Sequence, residues 1–191
     1  MNTPLDFKFL SVLSLLASLF FVKDSLASIV NINFTGFIMP GSCDVDLDRP
    51  ALNLGNIDML SLQKGAILAN VSGFNATVRN CYLSQPSTYR PAIEISGEGF
   101  NADGKFLFRS SDSSSRGIGV ALYKNASSPQ YSDLSLKSGD YIDLGGVGTI
   151  PADTTLPFFV GVTCGSASNC VSSNIAPGRL ISRIMINLRY Y

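Results

Sequence analysis

Gly178-Arg179-Leu180-Ile181-Ser182-Arg183-Ile184-Met185-Ile186-Asn187-Leu188-Arg189-Tyr190-Tyr191 reads as one long β-strand. Leu180, Ile184, Ile186, Leu188 and Tyr190 share one face, and Arg183, Asn187 and Arg189 mark the other. That period of two belongs to a strand with one face in a core and one in water. Ser182 interrupts the apolar face, and Ile181 and Met185 interrupt the polar one. No hairpin partner follows Tyr191, and a long apolar edge left open aggregates. The far edge of this strand is therefore expected to be covered by a segment from elsewhere.

The opposite end of the chain holds a second segment of the same kind. Residues 1–27 read as a secretory signal: Lys8 precedes an apolar run from Phe9 to Val22, and Ser25-Leu26-Ala27 is a small-x-small cleavage site. The run is short for a membrane span, which takes about 20 apolar residues. Cleavage after Ala27 makes Ser28 the mature N-terminus. Directly behind it, Val30, Ile32, Phe34, Gly36 and Ile38 share one face, and Asn31, Asn33 and Thr35 the other. Two readings stand: the first strand of a sandwich, or a free arm that adds itself to another protein's sheet. Strand addition draws affinity from main-chain hydrogen bonds and specificity from pockets for alternate side chains.

Composition narrows the function classes. Lys plus Arg equals Asp plus Glu at 14 each, so no charge excess points to nucleic acid or an anionic surface as partner. The chain has no histidine and no tryptophan, which removes His-based triads, general bases and metal sites together. Four cysteines behind a signal peptide point to an oxidising compartment and two disulfides, for which three connectivities exist. Cys43–Cys81 with Cys164–Cys170 is preferred, because each pair brackets a strand or loop junction. Loop-closure entropy gives the first pair about 4 kcal/mol and the second about 2 kcal/mol.

Turn signals recur at short intervals, among them Pro40-Gly41, Lys64-Gly65, Asp103-Gly104, Gly145-Gly146 and Pro177-Gly178. Between them, strands are predicted near 29–38, 43–47, 51–54, 66–71, 73–80, 90–96, 105–108, 117–124, 141–144, 156–164 and 179–190. Many short strands with regular turns give an all-β sandwich. Ser110 to Arg116 is serine-rich and reads as an exposed loop.

Taken in order, Phe34-Thr35-Gly36, Gly41-Ser42-Cys43-Asp44-Val45, Leu52-Asn53-Leu54-Gly55, Val78-Arg79-Asn80-Cys81, Leu156-Pro157-Phe158-Phe159-Val160 and the closing strand with penultimate Tyr190 give the mature chain a family likeness. It resembles the type 1-like pilin subunits of chaperone–usher fimbriae. Two departures stand out: Cys164 and Cys170 are additional to the usual single disulfide, and Tyr191 follows the penultimate aromatic.

The resemblance implies an incomplete immunoglobulin-like β-sandwich lacking its last strand and completed by a donor strand. Residues 28–42 would form the donor extension, with Val30, Ile32, Phe34, Gly36 and Ile38 inserting. Residues 43–191 would form the pilin domain, with Leu180, Ile184, Ile186, Leu188 and Tyr190 lining the acceptor groove. The implied partners are neighbouring pilin subunits, a periplasmic chaperone and an outer-membrane usher. The implied location is a fimbrium on the bacterial surface, reached through the periplasm. An internal, adaptor-like position is the expectation; the alternative is a single-domain adhesin that binds host glycan. Tip adhesins of this family resemble two-domain proteins, and an arm at the mature N-terminus leaves no room for a lectin domain. Burial of Val30, Ile32, Phe34 and Ile38 would contribute roughly 1.5–3 kcal/mol each, and each backbone bond about 0.5–1.5 kcal/mol.

Other signals lead nowhere catalytic. Asp44, Asp46 and Asp48 have an acidic spacing, but an EF-hand wants Gly at its sixth position and Glu at its twelfth, where this chain has Arg49 and Gly55. Strand alternation instead puts the three carboxylates on a solvent face. Glu94 and Glu98 read as solvated surface rather than a glycosidase pair. Gly145-Gly146-Val147-Gly148 lacks the Lys-Ser/Thr of a phosphate loop. No catalytic residue, metal site or cofactor is expected. The sequons at Asn33, Asn70, Asn75 and Asn125 matter only in a eukaryotic secretory route.

Overall fold

The computed structural model describes residues 41–84 and 88–191. The leader (1–27) and the arm residues Val30, Ile32, Phe34, Gly36 and Ile38 lie outside the described residues. Nine strands and one helical turn follow in order: β1 (Gly41–Leu47), α1 (Met59–Leu62), β2 (Ala69–Leu83), β3 (Pro91–Ser96), β4 (Gly99–Ala102), β5 (Lys105–Phe108), β6 (Gly119–Tyr123), β7 (Tyr141–Asp143), β8 (Thr154–Thr163) and β9 (Met185–Tyr190). They form a six-stranded sheet in the order β1-β2-β8-β6-β5-β4 and a three-stranded sheet in the order β7-β3-β9. All pairings are antiparallel. This is an all-β, incomplete immunoglobulin-like sandwich.

Alternation along the strands builds the core. Phe74, Ala76 and Val78 of β2 point inward, as do Phe158, Val160 and Val162 of β8, Val120 and Leu122 of β6, and Ile93 and Ile95 of β3. Phe74 and Phe158 are register partners and stack at 5.4 Å between ring centroids. Each such fully buried side chain stabilises by roughly 1.5–3 kcal/mol. β6 is buried along its whole length because its second face, Ala121 and Tyr123, packs under Leu68, Phe100 and Phe159. Burial pushes the Tyr123 phenol up to about 12.

The sequence reading needs five adjustments. Residues 51–54 alternate in burial, yet among the described residues they join no ladder. The strands expected at 66–71 and 73–80 are one 15-residue strand, β2, with a bulge between Ala69 and Ser72. Within β2, Asn70 takes φ 49° and Asn80 φ 53°, a region that Asn tolerates better than most residues. β4 is not among the expected strands; Gly97 reads as a turn, and the strand begins two residues on, where Gly99 pairs with Phe108. The predicted 179–190 strand ladders with β3 only from Met185 onward, and β1 takes in Gly41 and Ser42, which the sequence reading placed in the arm.

Both disulfides are closed. Cys43–Cys81 ties β1 to β2 with Cα atoms 4.1 Å apart, beside the register shift between Ser42 and Asp44. Cys164–Cys170 is a core bridge rather than a surface staple. Its cysteines are 1% and 0% exposed and belong to the main core, and Cys164 Sγ lies 3.3 Å from the Leu62 carbonyl. The loop it closes packs against the turn after α1, where Ala66 N donates to Gly165 O at 2.8 Å. A Cβ on Gly65 would fall 2.4 Å from the Ala167 backbone. Loss of this bridge therefore removes loop-closure entropy and also leaves two small voids in the core. We expect Cys164→Ala with Cys170→Ala to lower the urea-unfolding free energy by about 3–4 kcal/mol. A loss of about 2 kcal/mol or less would mean that the bridge contributes loop closure alone and no core packing.

Candidate functional site

The C-terminal segment has one satisfied edge and one open edge. Arg90 and Tyr191 exchange both backbone hydrogen bonds, Tyr191 N donating to Arg90 O at 3.1 Å and Arg90 N to Tyr191 O at 2.8 Å. In an antiparallel ladder hydrogen-bonded pairs alternate. The bonded partners of β3 are therefore Tyr191, Arg189, Asn187 and Met185, in register with Arg90, Ala92, Glu94 and Ser96. Upstream of β9 the same edge of the C-terminal segment is met by the serine loop. Ser110 N donates to Ile181 O, Ser114 N to Arg179 O, and the Ser113 hydroxyl both accepts from Ile181 N (3.0 Å) and donates to Ile181 O (2.9 Å). The loop expected to be free surface thus continues the pairing, and its ends Ser110 and Ser115 are buried.

By the same parity, Leu180, Ser182, Ile184, Ile186, Leu188 and Tyr190 aim their backbone groups at the other edge. Among the described residues no strand pairs there. These residues also turn their side chains inward: Leu180, Ile184 and Ile186 pack on the main core. β1, at the edge of the larger sheet, mirrors them. Its even-numbered residues pair with β2, Asp48 N donating to Asn75 O just beyond its end, while Val45 and Leu47 pack on the core.

Between these two open edges runs an apolar groove. Its wide part encloses about 970 Å³ between residues 49–57 and 177–186, over a floor that includes Phe74, Ile118, Val120, Val160 and Val162. A narrower part of about 410 Å³ lies between Ser42, Cys43 and Val45 and residues 186–189, with Ile186 lining both. The structure brings Leu180, Ile184 and Ile186 together in the wide part and Leu188 in the narrow one. Tyr190 stands at the end: among the described residues its buried hydroxyl has no hydrogen-bond partner, and a Cβ on Gly41 would sit 2.6 Å from it. Burial raises the Tyr190 phenol above its usual range.

The near wall, residues 51–57, contains the stretch 51–54 that reads as a strand, and its Leu52, Leu54 and Ile57 pack on the core. What sequence reasoning missed is Asn70, whose side-chain amide donates to the carbonyls of Leu54 and Asn56. Its sequon had no structural meaning on its own; the left-handed φ that aims it at the wall is not visible in residue type.

The other singled-out residues fall outside the groove. Asp44, Asp46 and Asp48 are exposed and bond Asn80, Arg79 and Asn75 respectively. Glu94 takes Arg189 at 2.7 Å, and Glu98 accepts from Ser111 N. Tyr191, the unusual last residue, stacks on Tyr141 at 4.6 Å and donates to Asp143 at 2.6 Å. That hydrogen bond, with Arg90 beside it, holds the Asp143 carboxyl below its ordinary range.

No protein-family model matches the chain, and no curated protein matches it. Among solved structures it is similar to the P pilus rod subunit PapA, at 13% identity and a TM-score of 0.46, covering 84% of this chain and all of that one. It is also similar to a subunit of a chaperone–usher pilus solved to explain rod uncoiling. There identity is 13% and TM-score 0.51, covering 86% of this chain and 96% of that chain. The second likeness shows the fold: a pilus-subunit type of incomplete sandwich.

The two faces of β9 predict unequal effects. Ile186→Asp puts a carboxylate into the groove floor and should destabilise by about 3 kcal/mol or more, unless the group protonates. Asn187→Asp, on the outer side near Ser96, should change stability by about 0.5 kcal/mol or less. Thermal unfolding of both variants checks the facing; equal losses would contradict it.

Proposed function

We propose that this protein is a structural subunit of a bacterial surface fimbria, assembled by the chaperone–usher route through donor-strand exchange. The observation that carries the reading is the groove between the open edges of β1 and β9. It is lined by apolar side chains and bordered by unpaired backbone groups, which is the chemistry an added strand satisfies. A partner with no backbone to offer would cover the apolar floor and leave those edges unpaired.

The segment Ser28–Met39 has the matching pattern, with Val30, Ile32, Phe34 and Ile38 on one face. Gly36 on that face suits a place where backbone meets backbone. In this reading residues 28–40 of one subunit fill the groove of the next, and a periplasmic chaperone occupies the groove before assembly at an outer-membrane usher. Leu180, Ile184, Ile186, Leu188 and Tyr190 form the acceptor side, and the role is structural rather than enzymatic. An internal position in the fibre accounts for the chain having both an arm to give and a groove to fill.

The test uses a synthetic peptide of Ser28–Met39 added in excess to the chaperone-bound or free mature chain. Capture should displace chaperone and raise the unfolding midpoint, and placing Asp at Ile32 or Phe34 of the peptide should abolish both effects. A peptide that neither displaces chaperone nor stabilises the subunit contradicts the donor-strand reading.

A further inference from the structure

We propose that Asn70 is a positioning residue that holds the groove open for strand entry by pinning its near wall. The inference rests on the strand-capture reading and adds to it a part played by one side chain outside the groove lining.

The near wall has a problem of its own. Residues 51–57 are extended and alternate in burial, but among the described residues they sit in no ladder. Leu52, Leu54 and Ile57 anchor one face on the core. The one local backbone tie is Gly55 N donating to Asn53 Oδ1 at 2.9 Å. Nothing in that set fixes how far the wall stands from β9. An apolar segment that no ladder holds, beside an apolar groove, has a favourable alternative, which is to lean across and bury the floor itself.

Asn70 opposes that collapse from behind. It sits in the β2 bulge between Ala69 and Ser72, with φ 49°, so its side chain leaves the strand at an angle that regular β-structure does not offer. A carboxamide carries two N–H donors. Here the amide nitrogen reaches Leu54 O and, at 3.2 Å, Asn56 O. One side chain thus replaces two rungs of a missing ladder. The far wall is fixed independently, by Ser113 on both backbone groups of Ile181 and by the Arg183–Asp112 pair at 2.8 Å. The groove is held from both sides before any strand arrives.

Once a strand is seated, the wall has a neighbour on its open side and cannot lean into the floor, so the pin becomes redundant. This gives Asn70 a kinetic signature that a general structural residue lacks. Affinity for a site that is only fractionally open falls in proportion to the open fraction, and the loss appears in association. A residue that merely stabilises the domain would instead weaken the filled subunit and speed release.

The test compares the mature chain with its Asn70→Asp and Asn70→Gly variants, using a fluorescently labelled Ser28–Met39 peptide in excess. Both substitutions accept a positive φ; the first keeps the shape but turns an acceptor toward two carbonyls, and the second removes the pin. Anisotropy should show association slowed about tenfold in both, the worth of two net hydrogen bonds, with dissociation changed by less than about twofold. Amide exchange across residues 52–57 should quicken in the subunit without peptide and match wild type in the filled one. Unchanged association in both variants, slowing accompanied by faster release, or exchange at 52–57 that quickens equally in the filled subunit, overturns the proposal. A wild-type chain that takes up no peptide refutes strand capture itself; in that case unchanged exchange at 52–57 would also refute the pin, as a separate result.

Discussion

Everything in this structure turns on one constraint of the β-strand: a residue that points its side chain into a core on one strand face also commits its backbone to one particular edge. In residues 180–190 the inward residues are the even-numbered ones, and their backbone groups face away from β3. The apolar side chains and the unpaired amides therefore meet the same gap. A side-chain-only filler would leave buried N–H and C=O groups unsatisfied, at about 1–3 kcal/mol each. Water would satisfy the amides and leave Ile184 and Ile186 wet. Another strand would answer both demands, which is why we propose a strand as the occupant of the gap.

A sandwich missing a strand must find its rigidity elsewhere, and here it comes from ties that are not ladders. Cys43–Cys81 clamps the β1 edge to β2 beside a bulge. Cys164–Cys170 is buried against α1, whose own start is capped by Asp58 accepting from Leu60 N and Ser61 N. Asn70 holds one wall, and Ser113 with Arg109, which bonds the carbonyls of Ser113 and Ser115, holds the other. Tyr191 fastens the last strand to β7 through Tyr141 and Asp143. Apart from the core bridge Cys164–Cys170 and the Tyr141–Tyr191 stack, these contacts are polar or covalent point fixtures around the rim of the groove.

The sequence was legible wherever burial alone set the residue pattern. The alternation in 180–190 gave the facing of the last strand, and the order of turns gave an all-β sandwich. It was illegible wherever hydrogen-bond partnership, rather than burial, decided the outcome. Residues 51–54 alternate as a strand does because Leu52 and Leu54 reach the core, yet pattern cannot say whether a neighbour stands beside them. Ser110–Arg116 looked like free surface because serine is polar, whereas Ser113 spends its hydroxyl as a backbone surrogate for Ile181. The short Cys164–Cys170 loop, full of turn residues, concealed that both cysteines are core residues. Asn70 is the sharpest case, since its role depends on a bulge that shifts it out of the strand's alternation.

The central claim is that residues 180–190 have one paired edge and one open edge until a strand arrives. Residue-resolved amide exchange by NMR on the empty mature subunit tests this most directly. Protection should alternate, with slow exchange at Ile181, Met185, Asn187, Arg189 and Tyr191 and fast exchange at Ser182, Ile184, Ile186, Leu188 and Tyr190. The fast set should become protected when the groove is filled. Uniform protection along both sets in the empty subunit would mean that the second edge is already paired, and the account of an incomplete sandwich would be wrong.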